Sequence, residues 1–133
     1  MTKCYTLEME GGCHCQAIRF KTITDPYWIG ACYCSDCRKI SGSPYIVYAG
    51  FNAGEVVLLK GVLGTYQSSE KVQRSFCPIC HSPFSFTYKT NPEEHFIPVG
   101  IFDDPSTLAP QKHIFVAKKL PWITIHDEYP QEL

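Results

Sequence analysis

Apolar and polar residues alternate over short runs along much of the chain, with a period close to two. From residue 17 to 21, Ile18 and Phe20 fall on one face and Arg19 and Lys21 on the other. Phe84, Phe86 and Tyr88 alternate with Ser85 and Thr87 in the same way. That period sends side chains to opposite faces of a strand. Residues 27–33 and 45–51 are apolar and aromatic throughout, the pattern of strands buried on both faces. Val56–Lys60, residues 63–68 and Val72–Phe76 follow, separated by Gly61 and by Ser69-Glu70, and residues 95–101 and 113–117 complete the set. A helical turn is predicted only over residues 35–40, with Ser35 as N-cap. Asp103-Asp104-Pro105 reads as a turn. The polar end, residues 127–133, suits a pinned tail or a frayed one. Many short strands at close spacing predict an all-β fold of packed antiparallel sheets with minimal helix.

Composition sharpens this picture. Phe, Tyr and Trp make up 14% of the residues, and aromatic side chains favour strands. Ten prolines and nine glycines punctuate the chain too often for long helices. A length of 133 residues suits one domain spanning residues 1–133. The net charge is −1, and Arg38-Lys39 and Lys118-Lys119 are the longest basic runs. Neither makes a phosphate track, so nucleic acid is not an expected partner. No stretch has the apolar length of a signal peptide or a membrane span, so a cytoplasmic protein without a membrane partner is expected.

That expectation changes how the eight cysteines read. A reducing compartment disfavours a disulfide framework, the competing reading of an even number, and favours metal ligands or catalytic thiols. Cys4 has no partner at knuckle spacing and reads as a packing or surface thiol. The others form three groups: Cys13-His14-Cys15, Cys32-Tyr33-Cys34-Ser35-Asp36-Cys37 and Cys77-Pro78-Ile79-Cys80. A closed structural zinc site takes four ligands, with thiolates at about 2.3 Å. The economical division pairs Cys13 and Cys15 with Cys77 and Cys80, a staple between distant parts of the chain. Cys32, Cys34 and Cys37 then form a three-ligand site with an open position, as catalytic zinc requires. Alternatives remain at this level. The middle group can share ligands with an outer pair, and His14, His81 or Asp36 can supply a fourth ligand.

These residues also resemble a known family. Gly12-Cys13-His14-Cys15 with Ile18-Arg19-Phe20 resembles its opening motif. The run from Cys32 to Lys39, followed by Ser41-Gly42-Ser43, resembles its central motif. Arg74-Ser75-Phe76-Cys77-Pro78-Ile79-Cys80 resembles the third, and Gly100 to Pro105, His113-Ile114 and Lys119-Leu120-Pro121-Trp122 resemble later landmarks. The family is that of glutathione-dependent formaldehyde-activating enzymes, the CENP-V/GFA domain, and the resemblance covers about residues 11–125. Gln16 and His81 stand where the family commonly has Gly, and Tyr33 where it commonly has His.

The resemblance implies a zinc-stapled fold of the β-sandwich or β-tent type and two zinc ions per chain. Cys13, Cys15, Cys77 and Cys80 would hold the structural ion. Cys32, Cys34 and Cys37 would hold the ion of the active site and be its catalytic residues. It also implies carbon–sulfur lyase activity on a small thiol substrate, such as the glutathione–formaldehyde adduct S-hydroxymethylglutathione. Arg38, Lys39 and Arg74 are candidates to meet substrate carboxylates, with Arg38 preferred. The alternative is a non-catalytic, zinc-stapled protein-binding module.

Overall fold

The computed structural model describes residues 8–133; Cys4 lies outside them. Three strands, β1 (Met9–Gly12), β2 (Arg19–Thr22) and β5 (Val56–Lys60), form a small antiparallel sheet in the order β1-β2-β5. Seven more form a larger sheet: β3 (Trp28–Cys32), β4 (Ile46–Asn52), β6 (Gly64–Gln67), β7 (Val72–Phe76), β8 (Pro83–Tyr88), β9 (Asn91–Pro98) and β10 (His113–Ile114). Their order is β10-β3-β4-β9-β8-β7-β6, antiparallel except where β10 runs parallel to β3. The sheets expected from the alternation are present, with one short helix, α1 (Ser35–Ser41).

Alternation gives the larger sheet two apolar faces. Ile29, Ala49, Phe51, Phe84 and Ile97 join Ile18 and Phe20 of the small-sheet region in the main core. Phe20 is fully buried and meets Phe84 and Phe102 edge-on, each at 5.2 Å between ring centroids. Truncating such a side chain to Ala costs about 3–5 kcal/mol. The neighbouring residues Trp28, Tyr48 and Phe96 point the other way and, with Phe86, pack around Cys32 and Cys37. The site is therefore built on the second face of the sheet whose first face is the core.

Several elements differ from the expected pattern. Phe84 and Phe86 serve different clusters although two residues apart. The β7–β8 register shifts between Ser75 and Phe76, and such an irregularity re-aims the side chains around it. The helix is capped by Cys34, whose sulfur accepts from the Cys37 amide, and not by Ser35, which is helical. Gly42 closes it in the left-handed conformation, at φ 71°, where a residue without Cβ costs least. Strand β9 begins at Asn91 and ends at Pro98, and residues 99–101 turn into a 3-10 helix. Strand β10 is two residues long because Phe115 takes a left-handed φ of 55° and a 3-10 turn follows. Strand β1 lies outside the runs read from the sequence, its glycines hiding the alternation. The end of the chain is pinned: His113 N–H donates to Pro130 and Glu132 N–H donates to His113, at 2.9 and 2.8 Å.

Candidate metal centres and the cavity beside them

The β1–β2 turn and the β7–β8 turn bring four cysteines together. Cys13 and Cys15 sulfurs are 3.6 Å apart, and Cys15 and Cys77 sulfurs 3.7 Å apart. All four sulfurs of Cys13, Cys15, Cys77 and Cys80 lie within 4.8 Å of one another. Backbone amides converge on them. Ile18 N–H donates to Cys13 Sγ, and the Ile79 and Cys80 amides donate to Cys77 Sγ. Hydrogen bonds of this kind favour thiolate over thiol. The Ser82 hydroxyl, followed by its amide, holds the Cys80 thiol down to about 5. A tetrahedral four-thiolate site asks for this arrangement.

Two residues in these turns bear backbone strain. Gln16 and His81 adopt φ of 68° and 67°, a region that L-residues enter at a cost. Glycine, the residue the resemblance leads one to expect at both positions, would enter this region without that cost. Gln16 recovers part of the cost because its Nε2 donates to the Cys13 carbonyl at 2.9 Å and its Oε1 accepts from Arg19 at 3.1 Å.

The second cluster stands at the end of β3 and the start of α1. Cys32 closes the strand, Cys34 caps the helix, and Cys37 lies on its buried side. Cys32 Sγ is 3.4 Å from Cys34 Sγ and 3.2 Å from Cys37 Sγ. Three thiols this close cannot all ionise without a cation between them. Hydrogen bonds with Cys32 and then Cys37 hold the Cys34 thiol far below its usual range, and bonds with Cys34 and then Cys37, with burial, push Cys32 far above it. One bound cation would resolve the conflict, so the donor set fits a thiolate-binding metal such as zinc.

Among the described residues, the groups with metal-ligand geometry are these two, and both consist of cysteines alone. His14 and His81 are exposed and belong to neither, and the Asp36 side chain borders the cavity instead. The division into four and three reached by counting is the one the fold brings together.

A cavity of about 410 Å³ opens over the three thiols. Trp28, Tyr48, Phe86, Tyr88, Phe96 and Phe115 supply much of its wall. Gly30 lets the Trp28 indole lie against the strand, since a Cβ there would come within 2.4 Å of the ring. Arg74 supplies the cation. Its Nε donates to Ser68 Oγ at 3.1 Å, its Nη1 donates to Tyr48 Oη at 3.4 Å, and the guanidinium rests 5.2 Å from the Phe86 ring centre. Tyr48 Oη in turn donates to Cys37 Sγ at 3.5 Å. Burial pushes the Tyr48 hydroxyl well above the ordinary tyrosine range, so it remains a donor. Arg38 is half-buried on α1 and does not line the cavity. Arg74, the less favoured candidate in the sequence, does. Position 74 alternates into the site face of β7, but its distance from the central motif in sequence concealed that.

The sequence also left Tyr33, His113 and Asp127 unconnected. In the structure Tyr33 Oη meets His113 Nδ1 at 2.8 Å, and His113 Nε2 meets the Asp127 carboxylate at 3.0 and 3.1 Å.

A strand-rich fold with a four-thiol cluster, and a three-thiol cluster under a cavity, defines a class of β-proteins with two cysteine clusters able to hold a metal ion. Within that class the chain belongs to the GFA family: the model of the glutathione-dependent formaldehyde-activating enzyme matches residues 8–118. An uncharacterized lyase of Schizosaccharomyces pombe is 32% identical over 95 residues, covering 71% of this chain and 69% of that protein. A crystal structure of a Rhodobacter sphaeroides protein, a structural-genomics target, superposes with a TM-score of 0.59 at 22% identity. It spans 92% of this chain and 99% of its own, and shows that the fold is shared. Among the described residues no helix is long and apolar enough to cross a membrane.

Proposed function

We propose that this chain is a single-domain, zinc-dependent carbon–sulfur lyase acting on thiol–aldehyde adducts such as S-hydroxymethylglutathione. The observation that carries the reading is the convergence of Cys32, Cys34 and Cys37 sulfurs beneath an open cavity. A purely structural role needs only the closed four-thiol cluster. Membership of the GFA family and the lyase relative support the same class of reaction.

The reaction balances without a further reactant. The C–S bond of the adduct breaks and its electron pair stays on sulfur. The carbon–oxygen bond becomes the carbonyl of the aldehyde as the hydroxyl proton leaves, and one proton returns to sulfur to give the free thiol. Zinc held by Cys32, Cys34 and Cys37 would supply an open position for sulfur and lower the pKa of a thiol placed there. Cys13, Cys15, Cys77 and Cys80 would hold the structural ion.

The chain's own residues do the rest. Three thiolates leave an excess of negative charge, and Arg74 sets a fixed positive charge against it through Tyr48. Tyr48, kept protonated by burial, orients Cys37 by donating to it. Asp36 and Glu94 are the carboxylates of the wall, available to take the hydroxyl proton. Aromatic walls exclude water from the reacting bond and orient it.

The test is lyase activity on glutathione–aldehyde adducts by wild type and Cys34→Ser. Loss of the catalysed rate in the variant, with the fold retained, is the expected result. Equal rates in both proteins would overturn the catalytic reading.

A further inference from the structure

We infer that the cavity over the three thiols is built for an adduct carrying a ring-sized apolar group, recognised by Trp28, Tyr88, Phe96 and Phe115. The inference rests on the lyase reading above and deepens it by naming a class of substrate.

Size is the first observation. A volume of about 410 Å³ lies in the range of sites that enclose whole small molecules. The hydroxymethyl group of a formaldehyde adduct adds only one carbon and one oxygen to the sulfur and leaves most of that space unfilled.

The second is the chemistry of the wall. Trp28 meets Phe96 edge-on at 5.6 Å, and Tyr88 meets Phe96 edge-on at 6.0 Å. Both Tyr88 and Phe115 leave more than a third of their surface exposed. Aromatic surface gathered around a concave space, beside groups able to react, marks a ligand site more than a packing defect.

Charge is the third. Glutathione brings two carboxylates and an ammonium group. Arg74 is the one cation among the described lining residues, and it is already engaged by Tyr48, which links it to Cys37. Asp36 and Glu94 border the same space and disfavour a second carboxylate there. The part of the substrate inside the cavity is therefore uncharged.

Backbone strain is the fourth. Phe115 holds a φ of 55°, a costly conformation for a bulky residue. Ile114 pairs with Cys32 across the β10–β3 ladder, so the left-handed turn that follows sets the Phe115 ring at the cavity wall. Strain kept at such a place has a use there.

The apolar group can come from the aldehyde or from the thiol, and the experiment separates the two. Zinc-loaded full chain, kept reduced, is titrated calorimetrically with phenylmethanethiol, 2-mercaptoethanol and glutathione. Phenylmethanethiol is expected to bind at least ~10-fold more tightly than 2-mercaptoethanol. The ratio should fall toward one in Phe115→Gly, a variant whose glycine accepts the local φ and so keeps the fold. Equal affinities for phenylmethanethiol and 2-mercaptoethanol, or a ratio unchanged in Phe115→Gly, would overturn the inference. Turnover then locates the ring. Preference for the glutathione–benzaldehyde adduct places it on the aldehyde, and preference for the phenylmethanethiol–formaldehyde adduct places it on the thiol. Tight phenylmethanethiol binding with no turnover of any adduct would sink the lyase reading and leave the binding class standing. Turnover of every adduct without preference for a ring would do the reverse.

Discussion

The Tyr33 hydroxyl lies 2.8 Å from Nδ1 of His113, and both residues are buried. The Asp127 carboxylate can only accept, so His113 Nε2 donates to it. Burial, first of all, lifts the Tyr33 hydroxyl to about 12, so it is a donor throughout the physiological range. The bond ties a residue between two cysteines of the three-thiol cluster to the strand that holds the chain's end.

Removing that hydroxyl leaves a buried ring nitrogen without a partner. Tyr33→Phe is expected to cost about 1–3 kcal/mol, seen as a fall of several degrees in the thermal midpoint. Tyr33→Phe should also release metal from the three-thiol site to a chelator ~10-fold more readily, as loss of outer-shell support does. An unchanged midpoint and unchanged metal retention would show that Tyr33 positions nothing.

Zinc content should follow the cysteines. Protein purified under reducing conditions is expected to carry about two zinc ions by elemental analysis, one per cluster. Cys34→Ser should retain about one. Cys77→Ser should lose the fold, because the four-thiol cluster joins turns far apart in sequence and a structural zinc contributes on the order of 10 kcal/mol to folding. Two ions retained in Cys34→Ser would show that the second ion sits elsewhere.

Relief of strain should be measurable in the two turns. His81→Gly removes the cost of a left-handed non-glycine residue, and is expected to stabilise the zinc-loaded protein by about 0.5–1 kcal/mol after the entropy of the added glycine is counted. Gln16→Gly gives up two hydrogen bonds as well and should stay within about 0.5 kcal/mol of wild type. Thermal melts of both variants decide the matter. A destabilised His81→Gly would mean that the imidazole contributes more than its backbone costs.

Acid should remove a defined ion pair. Arg19 grips Asp103 with two nitrogens, at 3.0 and 2.6 Å, and links β2 to the segment after β9. The hydrogen bond from Arg19 holds the Asp103 carboxyl below its ordinary 3.8, with burial opposing. A depressed carboxylate contributes its stability above the unfolded value and loses it as pH falls through the folded one. The Asp103 side chain is more than half exposed, so the contribution at neutral pH is at most about 1 kcal/mol. Wild type should therefore exceed Asp103→Asn in stability at pH 7, and the gap should close below about pH 4. A gap that persisted at pH 2 would assign the effect to packing.

The legibility of the fold was uneven, for physical reasons. Residues 45–51 were readable as a strand because both faces are covered and nearly every position is apolar. Ser35 looked like the helix cap because hydroxyls usually cap. Cys34 takes the place because a sulfur held near the Cys37 amide belongs to the thiol cluster and caps the helix at once. The division of Phe84 and Phe86 between two clusters was hidden by the register shift at Ser75 and Phe76, which no pattern of period two records.

What the sequence determined by itself is local: the strand-forming alternation, the punctuation by proline and glycine, and the thiols in groups of two, three and two. Short spacings force neighbouring sulfurs toward one point, so the sulfurs within each group meet in the fold. The tertiary structure decided what depends on separation in the chain. It paired the first cysteine group with the third, chose Arg74 over Arg38 for the cavity, and joined Tyr33, His113 and Asp127. Those contacts arise where strands distant in sequence lie side by side, and only the register of the sheet says which side chains then share a face.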